Sequence, residues 1–466
     1  MKYILNKNFR LRGWTDHLVC LESLPNRRLT DLSVKEGLCL LKCDGQREAD
    51  EERFGPEIRK FLSMGVISET EGDSLLPEQE YIIYENKRFR SLSLSITGSC
   101  DFRCRHCFNA AEDDKPRGTT PATSDIIDLI GRMDECGVAR ITITGGEPVL
   151  NKDLLKITRA IKDRGMIFHV FNTNLYHITE DIADEIKAQG HNPRIFTSFD
   201  GIGTHEWLRM KEGSEKRTLE KIRMMKEKGY NVLVHMCVWK DSLKTVRDTA
   251  KVLSSLGVDC LRITSVEPSF RFMRNYADQY IEPRQWIAFA TDFIRWWYEE
   301  KIDMHLDVWG LWMDMGDNST VRILPEFHGT PEDQYRVPFC SEGYERPYID
   351  CDGRILTCIG ISGASLECGF DWGNVYKDDL HHLLRDGEFI KLCKHSIGSM
   401  KDNIEQCRDC KWRSLCNFGC RAESLGQGNG LEGLDERVCI FFREGYYDQF
   451  RKIAEDNGLK IYSGKK

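Results

Sequence analysis

The sequence predicts an α/β protein built on a parallel sheet, and three observations carry that prediction. Apolar, strand-like runs alternate with amphipathic, helix-like stretches from Leu92 onward; polar or Gly-containing motifs fall just after those runs; and cysteines crowd into one short loop and the last third of the chain. The candidate strands cover residues 92–97, 139–144, 167–173, 195–199, 232–238 and 259–264, with helices over 125–136, 154–164, 178–189, 218–228 and 243–256 between them. Six such units give an open or partial (β/α)6 barrel, in which sites gather at the carboxyl ends of the strands.

A chain of 466 residues has room for about three domains of ~150 residues each. Residues 1–85 open with strand-like runs at 3–6 and 17–22, continue into a helix over 32–43 that stops at Asp44-Gly45, and carry a second helix over 56–64 that leads through Gly65 into Val66-Ile67. This order fits a winged-helix-like α+β module. Residues 86–310 hold the barrel and an aromatic-rich helix near 284–300, where Trp296, Trp297 and Tyr298 read as core packing. An irregular acidic stretch follows that helix and runs to Tyr335, and residues 311–466, the last domain, become cysteine-dense from Cys340.

Charge and cysteine usage narrow the function. Lys and Arg total 66 against 74 Asp and Glu, a formal charge of −8, which argues against nucleic-acid binding because phosphate contacts need clustered cations. Met1-Lys2-Tyr3-Ile4-Leu5 runs into Asn6, Lys7 and Asn8 without a signal-peptide core, and no apolar run approaches ~18 residues, so the chain reads as cytoplasmic with no membrane partner. In that reducing compartment the clustered members of nineteen cysteines point to metal ligation, while isolated Cys20, Cys136, Cys237 and Cys260 read as core.

Cys100, Cys104 and Cys107 supply three thiols on a short loop after a strand, enough to bind three irons of one cubane and leave the fourth iron open. An open iron suits a chelating amino acid such as S-adenosylmethionine (SAM), whose sulfonium an electron from the cluster cleaves to a 5′-deoxyadenosyl radical. The alternative is a zinc site of three thiolates completed by His106. The C-x3-C-x2-C spacing resembles the signature of the radical SAM superfamily over roughly residues 90–270. The resemblance implies that Gly145-Gly146-Glu147-Pro148 meets the SAM amino group, with Glu147 facing the ammonium. It implies a ribose-contacting turn at Asn172-Thr173-Asn174, a contact at Ser198-Phe199-Asp200-Gly201 and Arg209 pairing with the SAM carboxylate. His106 stands where the family usually has an aromatic residue, and it would stack on or hydrogen-bond to the adenine.

The tail carries Cys340, Gly353, Cys358, Cys407, Cys410, Cys416, Cys420 and Cys439, written C-x12-G-x4-C, a gap, C-x2-C-x5-C-x3-C, a gap and C. That order resembles the SPASM extension of peptide-modifying radical SAM enzymes. The resemblance implies two auxiliary [4Fe-4S] clusters beside the SAM-binding one: Cys407, Cys410, Cys416 and Cys439 on one, Cys340, Cys358 and Cys420 on the other. Cys351 either completes the second set or is a spare thiol beside an open iron. Zinc remains the alternative, since C-x2-C pairs are its commonest signature. Cys368 and Cys393 take no role.

The N-terminal module is similar to the precursor-recognition element of ribosomal-peptide modifying systems, on Leu32-Ser33-Val34-Lys35-Glu36, Leu41-Lys42-Cys43-Asp44-Gly45 and Gly65-Val66-Ile67. An exposed strand edge there takes a leader peptide by β-addition. Together these resemblances imply a maturase that abstracts hydrogen from a precursor peptide and forms a thioether from a cysteine, served by a flavodoxin- or ferredoxin-type electron donor. Carbon–carbon crosslinking, another oxidative change and sulfatase maturation are the alternatives. No catalytic acid or base stands out among the many Tyr, Asp, Glu and His residues.

Overall fold

The computed structural model describes residues 1–109, 120–268, 270–317 and 319–463. Its main element is a twelve-stranded sheet. Neighbouring strands run parallel from Leu92–Ser95 through Arg140–Thr144, Ile167–Asn172, Arg194–Ser198, Val232–Val238 and Cys260–Ser265 to His305–Val308. The pleat sorts their side chains: Val232, Val234, Met236 and Val238 enter the main core under the helices, and His235 alternates to the other face. Helices Thr123–Glu135, Leu154–Asp163, Glu180–Ala188, Ser214–Glu227 and Val246–Ser255 connect the strands. The anticipated strand–helix units are therefore present, with their ends shifted.

Local chemistry accounts for several shifts. The first N-terminal helix starts at Val34, not at 32, because Ser33 and Glu36 close a capping box: the Glu36 N–H donates to Ser33 Oγ (3.2 Å) and the Ser33 N–H to Glu36 Oε2 (2.8 Å). The second begins at Glu51, ahead of the expected Pro56, since Asp50 accepts from the Arg53 N–H (3.0 Å) and Glu51 and Glu52 complement the helix dipole. The stretch expected to be irregular before Tyr335 holds the strands His305–Val308, Trp312–Asp314 and Thr320–Ile323. Charge hid the first of these, since Asp307 is buried and accepts from Arg262 (2.8 Å).

The last third is integrated with the sheet. The hairpin Tyr348–Ile349 and Ile355–Leu356 extends it beside Leu92–Ser95, and Lys460–Ile461 closes the far edge beside Thr320–Ile323. One core runs from Leu92 and Ile143 to Leu384, Phe389, Phe441 and Phe450. Trp286, Phe293 and Trp297 of helix Pro283–Glu299 lie in it, as expected for that aromatic stripe. The N-terminal region has its own core around Leu5, Leu40, Phe54, Phe61 and Val66. Its sheets are Asp44–Glu48, Lys2–Leu5, Ile67–Thr70, and Arg28–Asp31, Cys20–Ser23, Phe9–Trp14, Ile82–Tyr84. Polar ties seat it on the strand–helix units: Asn86 Nδ2 donates to the Cys136 carbonyl (2.9 Å) and Arg27 Nη1 to that of Gly165 (2.7 Å). No helix among the described residues is long and apolar enough to cross a membrane.

Candidate functional site

The loop after Leu92–Ser95 is locked to the loop after Arg140–Thr144. The Gly146 N–H donates to the Thr97 carbonyl (2.8 Å) and the Glu147 N–H to that of Ser99 (2.7 Å). A Cβ on Gly145 would lie 2.5 Å from the Thr97 oxygen, and one on Gly146 would lie 2.3 Å from the Ser99 oxygen; Gly145 also has φ +153°. Both positions therefore demand glycine. The clasp presents Cys100, Cys104 and Cys107, with the Cys107 N–H turned back to the Cys104 carbonyl (3.2 Å). Burial pushes the Cys104 thiol up to about 11, and burial with the Cys104 charge raises Cys100 further. Such thiols hold their protons until a metal displaces them, which is the donor chemistry of an iron–sulfur site.

Of the residues expected around SAM, Glu147 and Arg209 reach this loop directly, and Thr173 and Asn174 reach Glu147. Glu147 is buried; Thr173 Oγ1 and the Asn174 N–H donate to its carboxylate (both 2.7 Å), as does the Val149 N–H (3.1 Å). Burial nevertheless pushes it up to about 7. The buried Pro148 starts a short 3-10 turn, and Asn172 and Ser198 end their strands. His106 is buried with Nδ1 unpartnered, and burial, then Arg209, lowers its imidazole to about 3, so it is neutral at ordinary pH.

Arg209, expected to pair with the SAM carboxylate, is held by a carboxylate of the chain itself. Its Nε and Nη2 both donate to Asp200, the latter at 3.0 Å, and Nη1 reaches Cys104 Sγ at 3.8 Å. Asp200 also accepts from the Cys237 N–H (2.9 Å). Burial opposes ionisation of Asp200, but Arg209 and His205 hold it far below the carboxylate range. A carboxylate sealed at 0% exposure needs a charged partner, and the arginine fork supplies it.

The cysteines of the last third fall into two sets. Cys340, Cys358 and Cys420 perturb one another, and burial pushes Cys340 and Cys358 up to about 12. Cys407, Cys410, Cys416 and Cys439 line a second recess, where burial raises Cys416 to about 11 and Cys439 to about 12. Left-handed residues Phe418 (φ 72°) and Gly419 (φ 80°) turn the chain between Cys416 and Cys420 and send those two thiols to different sets. Backbone N–H groups already serve the sulfurs: Gly343 donates to Cys340 (3.4 Å) and Phe418 to Cys416 (3.3 Å). The donor chemistry therefore fits iron–sulfur ligation. Cys351 lies on the hairpin, where its charge acts on Tyr348 and Tyr376. Among the described residues, no three His, Cys, Asp or Glu side chains converge as a single metal ion requires.

Between the first loop and the Cys340 set lies a cleft of about 490 Å³, open to solvent, lined by Cys107, Glu267, Arg271, Gly360 and Ala422. Glu267 is the functional candidate that the sequence did not disclose. It follows strand Cys260–Ser265, and a Cβ on Gly360 would meet Cys358 Sγ at 3.5 Å and Glu267 Oε2 at 3.6 Å. Among the described residues no hydrogen bond or ion pair ties its carboxylate, and burial, opposed by Arg437, pushes it up to about 7. Behind it Arg437 pairs with Glu423 (2.9 Å) and Asp435 (3.1 Å), all three buried.

Comparison with known proteins agrees with this geometry. Residues 94–253 match the radical SAM superfamily. An AdoMet-dependent heme synthase of Methanosarcina barkeri is 23% identical over 366 residues, covering 76% of this chain and 96% of that one. The sporulation killing factor maturation protein SkfB of Bacillus subtilis is 23% identical over 312 residues, 66% of this chain and 70% of that one. The crystal structure of Streptococcus suis SuiB bound to precursor peptide SuiA superposes with TM-score 0.65 at 14% identity, covering 94% of this chain and 99% of that one. The chain carries a radical SAM domain, a family that uses a [4Fe-4S] cluster and SAM.

Proposed function

We propose that this radical SAM enzyme matures a ribosomally made precursor peptide, joining a cysteine sulfur to a carbon of another residue. Cys100, Cys104 and Cys107 are the proposed ligands of the SAM-binding cluster, with Cys340, Cys358 and Cys420 on one auxiliary cluster and Cys407, Cys410, Cys416 and Cys439 on another. Bound there, clusters and SAM supply a 5′-deoxyadenosyl radical and an acceptor for the electron that bond formation releases. The observation that carries the reading is the cleft, with Cys107 on one wall and the Cys340 set behind the other.

The chain's own residues then divide the work. Glu147 takes the SAM ammonium, neutral His106 the adenine, and Asn172, Thr173 and Ser198 the ribose side. Arg209, clamped by Asp200, keeps one nitrogen toward Cys104, and that nitrogen is the one left for the SAM carboxylate. Thioether formation removes two hydrogens, one as an atom from carbon and one as a proton from sulfur. Glu267, the untied carboxylate on the cleft, accepts the proton. The leader binds the N-terminal module, where Asp44–Glu48 is a sheet edge open to β-addition. A flavodoxin- or ferredoxin-type protein delivers the electron.

The test is an anaerobic reaction of the full, iron-reconstituted chain with SAM, reductant and the peptide encoded by the short reading frame beside its gene. Loss of two hydrogen atoms with one thiol no longer alkylated is expected. Loss of two hydrogens with every thiol still alkylated selects carbon–carbon crosslinking. Unchanged peptide binding after deletion of residues 1–85 selects the sulfatase-type alternative, and no 5′-deoxyadenosine overturns the proposal.

A further inference from the structure

The second recess contains a buried cation that no ligand assignment uses. Lys401, in the last turn of helix Ile397–Asn403, is 1% exposed and lines the recess with Cys407, Cys410, Cys416 and Cys439. Its Nζ donates to Gln334 Oε1 (2.9 Å), the Arg413 carbonyl (2.8 Å) and the Cys416 carbonyl. Three acceptors match the three N–H bonds of an ammonium, and none of them is an acid that would cancel its charge. Burial lowers the amine's pKa, while the thiols of Cys416, Cys407 and Cys410 raise it.

The surroundings of the two thiol sets differ in charge: apart from the thiols themselves, cations alone act on one, carboxylates and cations together on the other. Lys401, Arg443 and Arg413 act on Cys407; Lys401 acts on Cys416; and Arg443 acts on Cys439. Arg413 is partly offset by Asp402 (2.6 Å), whereas Lys401 makes no ion pair among the described residues. Around the other set, Cys340 and Glu267 act on Cys358; Glu267, Arg437 and Glu423 act on Cys420; and Arg421 and Glu342 act on Cys340, so carboxylates and cations meet there. A fixed positive charge beside an iron–sulfur site favours its reduced, more negative form, and the effect is large where water is excluded.

We infer that Lys401 is the residue that raises the reduction potential of the cluster held by Cys407, Cys410, Cys416 and Cys439 above that of the cluster at Cys340, Cys358 and Cys420. The inference rests on the proposed auxiliary clusters. It makes the recess lined by Cys407, Cys410, Cys416 and Cys439 the stronger electron acceptor, and it assigns that role to one ammonium positioned by Gln334 and two backbone carbonyls.

The test is a dye-mediated redox titration of the full-length holoenzyme followed by electron paramagnetic resonance, with SAM added to mark the first-loop cluster by its sensitivity. Lys401→Met is expected to lower the higher of the two SAM-insensitive transitions by at least tenfold in the reduced-to-oxidised ratio at fixed potential, about 59 mV for one electron. The other transition stays, and Lys401→Arg, which keeps the charge, restores both. Unmoved transitions in Lys401→Met with iron and sulfide intact overturn the inference, as does an equal fall in Lys401→Arg. If Lys401→Met sheds iron, Lys401→Gln, which keeps a polar side chain in the recess without the charge, decides: a fall in the same transition supports the inference and no fall overturns it. About four irons per wild-type chain, with one SAM-sensitive transition, overturns the auxiliary-cluster reading itself, and the count tells that failure apart.

Discussion

Around Cys340, Cys358 and Cys420 the chain buries Glu267, Glu423 and Asp435 against Arg421 and Arg437; around Cys407, Cys410, Cys416 and Cys439 it buries Lys401 and brings up Arg413 and Arg443. Burial raises the thiols of Cys340, Cys358 and Cys420 in one set and of Cys407, Cys416 and Cys439 in the other, so the difference lies in the charges that the fold packs against them. Glu267 and Glu367 border the cleft, where the proposed reaction releases a proton. Cations border the recess away from it, where only negative charge has to be held. Cysteine spacing is silent on this division, because the deciding residues come from distant parts of the chain.

The largest expected effect is on the carboxylate side. Glu267→Gln should cut crosslinked product per 5′-deoxyadenosine by ~10²- to 10⁴-fold, the usual worth of a positioned acid–base group, while SAM cleavage persists. Mass spectrometry of both products checks it, with Glu267→Asp recovering part of the loss. Unchanged coupling would remove the chemical distinction between the two sets. Next comes Arg437→Met, which leaves Glu423 and Asp435 buried without their cation and should cost about 3–5 kcal/mol in thermal or denaturant unfolding. Arg443→Met, at the other set, should stay within about 0.5 kcal/mol. Equal losses would mean that both sets use their arginines structurally.

A smaller effect extends the comparison to the first loop. Burial lifts Glu147 to about 7, above the ordinary glutamate value of 4.5, so the folded chain binds that proton more tightly than the unfolded one. Its stability contribution is therefore present at low pH and declines as pH rises between those values. SAM binding runs the other way, because the ammonium pairs with the ionised form. The SAM dissociation constant should climb by up to about tenfold per pH unit as pH falls below about 7. Calorimetry across that range checks it, and a flat profile would remove Glu147 as the ammonium's partner.

The sequence disclosed what is local and repetitive. The strand–helix units came from apolar periodicity, whereas the division of the tail thiols into sets came from the resemblance to the SPASM extension, since Cys416 and Cys420 are near neighbours in sequence yet fall in different sets. It did not disclose Phe9–Trp14, whose Arg10 and Arg12 interrupt the apolar pattern; Arg10 instead pairs across the sheet with buried Glu22 (2.6 Å). Glu267 and Lys401 escaped for the same reason. In Val266-Glu267-Pro268 and Met400-Lys401-Asp402 each looks like a solvated surface charge, and only the packing of distant segments turns one onto the cleft and buries the other. Arg209 was recognised as a site residue, but its clamp by Asp200 depends on Cys237 from the next strand.

The account rests on iron held by these thiols and SAM at the first loop. Iron and sulfide analysis with electron paramagnetic resonance on anaerobically purified, reduced protein, before and after SAM, tests it most directly. The predicted result is about twelve irons per chain, as three cubanes require, with one signal that changes on adding SAM. Zinc without iron, or iron signals that SAM leaves untouched, would contradict it.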